Sequence, residues 1–194
     1  MTLRSLCLGL TALASFGMAL PALAQETSPL QTIPRLDVAR YMGDWHEISR
    51  YPNRFQKKCI GPSSASYRLL EDGQVEVINR CPLSSGEMNV AVGSARQLGG
   101  AHSPKLEVRF APAWLSFIPA VWGDYWVVDL DEAYQLVAVS EPRREYLWIL
   151  SRQPQVEPQA YQALLDRLAA QGFDLQRLEK TALDGAARKQ PHQP

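Results

Sequence analysis

The chain has 194 residues, 46% of them hydrophobic, and its 20 basic side chains are balanced by 20 acidic ones. A neutral balance without a basic run leaves no electrostatic footprint for nucleic acid and no polybasic patch for a membrane surface. The three histidines, His46, His102 and His192, show no ligand spacing with one another or with the cysteines, so neither a metal site nor a cofactor is expected.

The opening segment, MTLRSLCLGLTALASFGMALPALAQ, sets Arg4 before an apolar run that ends at Pro21 and Ala22-Leu23-Ala24. That small-x-small ending is what a signal peptidase accepts, and the run falls short of the ~20 residues of a membrane span. Residues 1–24 are therefore read as a cleaved secretory signal. Cys7 lies far upstream of the cut, so no lipid-attachment cysteine follows it, and a soluble periplasmic or secreted protein is expected. Residues 25–36 form an N-terminal extension, 37–183 a single domain, and 184–194 a tail too poor in apolar groups to stay ordered. Cleavage leaves two cysteines, Cys59 and Cys81, and an even count in an oxidising compartment reads as one disulfide.

Strand signals then recur at near-regular spacing, the pattern of an antiparallel all-β sandwich or barrel. WHEISRY is the first. SSASYRLL and QVEVINR flank Glu71-Asp72-Gly73, whose Asp-Gly is a strong hairpin signal, so these two strands should pair directly. MNVAVGSARQ, KLEVRFA, DYWVVDL, YQLVAVS and EYLWILSR bring the count to eight. The period changes only at VEPQAYQALLDRLAAQGF, where Tyr161, Leu164, Leu165, Leu168 and Phe173 recur at helical spacing between Pro158 at the start and Gly172 near the stop. Eight antiparallel strands can close into an up-and-down β-barrel wide enough for one small ligand, with one C-terminal α-helix outside it.

Three stretches make that reading specific. Gly43-Asp44-Trp45 opens the first strand, WGDYWVVDLD, with Asp124, opens the sixth, and YLWILSR, ending in Arg152, closes the eighth. In order and spacing they resemble the three motifs of the lipocalins; YMGDWHEISRYPNRF, VINR and EYLWILSRQP are similar in particular to the bacterial outer-membrane lipocalins, whose animal relatives include apolipoprotein D. The resemblance implies a calyx whose closed end is plugged by Trp45, with Arg152 packed across the indole and Gly43 allowing a close turn beneath. It also implies that the protein binds, stores or transports fatty acids, lysophospholipids or similar amphiphiles, and that it is not an enzyme. A lipid-modifying enzyme and a surface-acting adaptor or inhibitor are the rival uses of such a scaffold.

Strand alternation from Trp45 sends Glu47 and Ser49 inward and His46, Ile48 and Arg50 outward. Glu47 then needs a partner, either a ligand headgroup or an internal network with a tyrosine or asparagine. Counting back from Arg152 turns Leu150, Trp148 and Tyr146 inward, and by the family's register Tyr125 and Val127 on the sixth strand and Ala65, Tyr67, Val77 and Asn79 on the hairpin join them. Leu106, Val108 and Phe110 share one face of the fifth strand. A wall of this kind, apolar and aromatic with a few polar tips, suits an acyl chain whose tail points to Trp45 and whose head stays near the mouth. FAPAWLSFIPAVWGDYW carries too many apolar groups, from Trp114 to Trp122, for a solvated loop; it is read as a lid, a peripheral membrane-contact tip or a homodimer interface at the mouth.

Overall fold

A computed structural model describes residues 28–181; the expected signal segment and the tail lie outside the described residues. After a one-turn helix α1 (Val38–Tyr41), whose N-cap Asp37 accepts from the amide of Arg40, the chain runs through β1 (Gly43–Arg50), β2 (Ser64–Leu69), β3 (Val75–Pro82), β4 (Met88–Gln97), β5 (Lys105–Arg109), β6 (Gly123–Leu130), β7 (Leu136–Ser140) and β8 (Leu147–Ser151). Each strand pairs antiparallel with the next, and β1 pairs with both β2 and β8, so the sheet closes on itself. This is the eight-stranded barrel that the alternating pattern implies. A two-residue strand, β9 (Glu179–Lys180), adds to the last two residues of β1 and was not legible in the sequence.

The expected β2–β3 hairpin is present, from Ser64↔Arg80 to Leu69↔Val75, and Gly73 takes a positive φ in its turn, as the Asp-Gly pair requires. Helix α2 (Pro158–Ala170) starts where Glu157 accepts from the amides of Gln159 and Ala160. It stops in a Schellman arrangement: the amide of Phe173 bonds the carbonyl of Leu168, and that of Gly172 bonds Ala169. Its apolar face, Leu164 and Leu168, is buried against Ile48, Val128, Ala138 and Ile149 on the outer barrel wall. Arg167 grips Asp129 of β6 with two bonds of 2.7 and 2.9 Å.

There are thus two cores, one between helix and wall and one inside the barrel, where Trp45, Tyr67, Val77, Leu106, Val127 and Leu150 meet. Leu36, at the end of the expected extension, is fully buried in the inner core. The strand directions put the turns after β2, β4 and β6 at the closed end, with α1, and the connections 51–63, 83–87, 110–122 and 141–146 at the mouth.

One inward assignment is wrong. Glu47 stands opposite Leu150 and Ser49 opposite Ile149, so two residues of β1 face one of β8 across a β-bulge. Beyond the extra residue the alternation reverses. Ser49 points outward, its hydroxyl 2.9 Å from that of Tyr161 on α2, and Arg50 turns to the inner face beside Trp148. Strict alternation cannot see a bulge.

Candidate functional site

Trp45 is fully buried at the closed end, its indole N–H donating to the carbonyl of Tyr41 at 2.9 Å. The Arg152 guanidinium lies 4.0 Å from the centre of that ring and donates to four carbonyls, those of Arg40, Tyr41, Met42 and Asp44. A cation–π contact and a set of capped carbonyls are here made by one side chain, as the motif resemblance implies. Gly43 has φ +95°, and a Cβ there would sit 3.2 Å from the Arg152 guanidinium. Asp124, by contrast, is exposed on the outer face opposite Glu107 and forms none of the ion pairs found among the described residues.

Above the plug the inner wall holds a feature that the sequence does not announce. The hydroxyls of Tyr41 and Tyr67 lie 2.7 and 3.0 Å from that of Tyr125, so the deep end is aromatic yet carries three hydroxyl groups rather than a purely apolar floor. Burial, the largest influence on each, pushes Tyr67 up to about 12 and Tyr41 and Tyr125 well above the ordinary range, so all three stay neutral near pH 7. Tyr41 had no signal of its own, since it precedes the first strand and reaches the interior only because α1 folds under the barrel. Val77 and Val127 continue the wall as buried apolar groups, and Asn79 is half-buried between Ala65 and Ala91.

Nearer the mouth Trp148 and Tyr146 stack with ring centres 5.7 Å apart, and Phe55 from the 51–63 connection meets Tyr146 at 5.6 Å. That connection is anchored by Gln56, whose amide oxygen accepts from the indole of Trp148 and from Asn53, and whose nitrogen donates to Glu47 and Ser63. Glu47, buried and inward, also accepts from Arg50 and from the Thr181 hydroxyl at 2.7 Å. Its partners are the chain's own groups, which is the internal-network alternative, though with arginine, glutamine and threonine as its members. Gln56 and Thr181 are distant loop and terminal positions with nothing in their local sequence to single them out. Cys59 and Cys81 are bonded, Cα atoms 5.5 Å apart, tying the same connection to the end of β3.

Phe110 lies just past β5 at the lip, partly exposed, with its ring over Gly93, where a Cβ would strike the Arg109 carbonyl at 2.6 Å. The 110–122 connection forms two short 3₁₀ turns, Ala113–Leu115 and Pro119–Val121. Trp114 and Phe117 stand 72% and 76% exposed at its tip. Trp122 instead folds back on the outer wall, against Arg96 and Arg109.

A family model described as "Lipocalin-like domain" matches residues 36–183. Temperature-induced lipocalin-1 of Arabidopsis thaliana is 39% identical, covering 80% of this chain and 84% of that protein. Apolipoprotein D of Mus musculus is 34% identical over 75% and 76%, and outer membrane lipoprotein Blc of Escherichia coli (strain K12) 32% identical over 87% and 92%. Among solved structures, insecticyanin from the tobacco hornworm Manduca sexta superposes with a TM-score of 0.61 at 16% identity, covering 81% of this chain and 86% of that one. The plug, the arginine that spans it and a match running through the whole barrel and its helix lead to one conclusion: this chain belongs to the lipocalin family, whose members are generally binders of small hydrophobic ligands.

Proposed function

We propose that this lipocalin binds and carries single-chain amphiphiles, fatty acids or lysophospholipids, inside its barrel, and acts as a transport or storage protein rather than as an enzyme. The observation that carries the reading is the inner wall: Val77, Val127, Tyr67 and Tyr125 lead up to the stacked Tyr146–Trp148 pair at the mouth. Such a wall contributes through area removed from water, with few polar groups to fix orientation. The headgroup stays at the mouth, near the exposed Arg54, Lys57 and Lys58. Exposed charges of this kind are worth at most about 1 kcal/mol each and weaken with salt, so tail burial dominates. Both cysteines of the described domain are spent in the disulfide, which leaves no thiol nucleophile there and supports binding over catalysis.

The same reading places the protein in the periplasm or outside the cell, on the strength of the signal-like segment 1–24 and the disulfide. Trp114 and Phe117, projecting beside the mouth, suit a transient contact with a membrane that donates or receives the lipid. The test is a titration of fatty acids of increasing length, read by intrinsic tryptophan fluorescence, with Trp148 as a reporter among the five tryptophans. Affinity should rise by about 0.8 kcal/mol per buried methylene until the interior is full, then level off. Affinity that is independent of chain length, or abolished by moderate salt, overturns interior binding.

A further inference from the structure

On the outer wall beside the mouth, Arg109 is only 7% exposed. It forms none of the ion pairs found among the described residues. Its Nη1 donates to the carbonyl of Ala111, while its Nε is buried with no partner. A guanidinium so placed has given up its water without gaining an anion, an unfavourable state unless something completes it.

The surroundings show what would complete it. Pairing in register sets Ser94 beside Arg109 and Arg96 beside Glu107, all on the outer face. Glu107 is engaged by Arg96, and Asp124, opposite Glu107, is exposed and pairs with neither arginine. Lys105, next along β5, lies over Trp126, its ammonium 4.1 Å from the ring centre. The Trp122 ring, held by its indole N–H on the Ser116 carbonyl at 2.8 Å, faces the guanidiniums of Arg96 and Arg109 at 4.2 and 5.2 Å.

Two hollows meet at Arg109. One, of 450 Å³, has Gln74, Ser94, Arg96, Ser116 and Trp122 in its lining. The other, of 330 Å³, lies where β4 and β5 part and offers Val92, Phe110 and Pro112. We propose that this surface is a second ligand site, outside the barrel, for the oxyanion head of a single-chain amphiphile: phosphate or carboxylate against Arg109 and Arg96, and the first methylenes against Val92 and Pro112. Charge-assisted bonds to a guanidinium are the strongest polar contacts available here, and the apolar side chains of the adjoining hollow favour an anion that carries a chain.

The experiment follows the Arg109 Nε–H resonance of the full ¹⁵N-labelled chain during titration with n-octyl phosphate, inorganic phosphate and n-octyl glucoside, each as monomers. Octyl phosphate should shift it at a concentration about tenfold or more below that needed with inorganic phosphate, because a few methylenes are buried as well. Octyl glucoside should leave it in place. A response to inorganic phosphate with no gain from the octyl chain makes this a free-ion site and overturns the amphiphile; an equal response to octyl glucoside, or none to any probe, overturns the anion site. Arg109→Gln should weaken octyl phosphate at least about tenfold. It should leave long-chain fatty acid quenching of Trp148 unchanged, which separates this site from the barrel interior. Should that variant not fold, Arg96→Gln, at a half-exposed position, must still weaken octyl phosphate several-fold, and an unchanged affinity overturns the proposal.

Discussion

The two ends of the barrel are built from similar residues and stabilised in different ways. At the closed end one guanidinium satisfies four carbonyls, an indole fills the floor, and the hydroxyls of Tyr41, Tyr67 and Tyr125 satisfy one another. The tyrosine hydroxyls meet across the barrel interior, Tyr67 on β2 with Tyr125 on β6, and Arg152 at the end of β8 reaches back to the carbonyls around α1. At the mouth, order comes from a covalent tie, Cys59–Cys81, and from Gln56 reaching across to Trp148 and Glu47, while Trp114 and Phe117 are left in solvent. Many mutually satisfied buried groups favour an end that stays shut, whereas a few ties with side chains left in solvent favour one that can admit a ligand without unfolding.

The largest test of this contrast is Trp45→Ala, which should cost about 3 to 5 kcal/mol in chemical denaturation, as large aromatic core truncations do. A variant of unchanged stability that had lost only ligand affinity would move Trp45 from the floor into the binding site and break the contrast. Removing the disulfide, with Cys59→Ala and Cys81→Ala together, should cost about 3 kcal/mol for a bridge spanning 22 residues. The loss should be confined to the mouth: exchange protection of the 51–63 amides should fall while that of β1 near Trp45 persists. Unreduced, denatured protein should show no thiol from these two cysteines.

Alkaline pH separates the ends more gently. Burial pushes the Tyr67 hydroxyl up to about 12 from its ordinary value near 10, so the protonated form is favoured in the folded state. Its contribution, about 3 kcal/mol at most, is fully present below pH about 10 and is lost as pH rises through about 12. Tyrosinate absorbance should therefore show Tyr41, Tyr67 and Tyr125 ionising late, together with unfolding. Early, non-cooperative ionisation of all seven tyrosines would mean that the deep end is open to water. The smallest stability effect belongs to Trp114→Ser with Phe117→Ser, which should stay within about 0.5 kcal/mol of wild type because neither side chain is packed. The pair should nonetheless lower partitioning onto lipid vesicles; unchanged partitioning would remove the mouth loop from membrane contact.

Much of the fold could be read locally. Period-two stretches, the Asp72-Gly73 turn and the helical spacing of Leu164 and Leu168 each depend on residues a few positions apart, and each appears in the expected place. So do the inward positions Tyr67, Val77, Val127 and Trp148, because alternation holds wherever the ladder is regular. It failed at Ser49 and Arg50, where an extra residue opposite Ile149 exchanged the two faces of β1. No spacing rule marks that position, since the bulge belongs to the pairing of β1 with β8, about a hundred residues away.

The residues that complete the site share this dependence. Tyr41 joins Tyr67 and Tyr125, Gln56 joins Glu47 and Trp148, and Thr181 reaches Glu47, all across long stretches of chain. By itself the sequence determined the strand period, the plug and its arginine, the cysteine pair and the apolar character of the interior, because hydrophobic periodicity and short motifs are properties of neighbouring residues. Only the tertiary structure decided which polar groups meet inside the barrel, that Trp122 lies on the outer wall while Trp114 projects from it, and that Arg109 is buried with no carboxylate paired to it among the described residues. Those outcomes depend on how a closed sheet brings remote side chains to within hydrogen-bonding distance, and no local pattern encodes that distance.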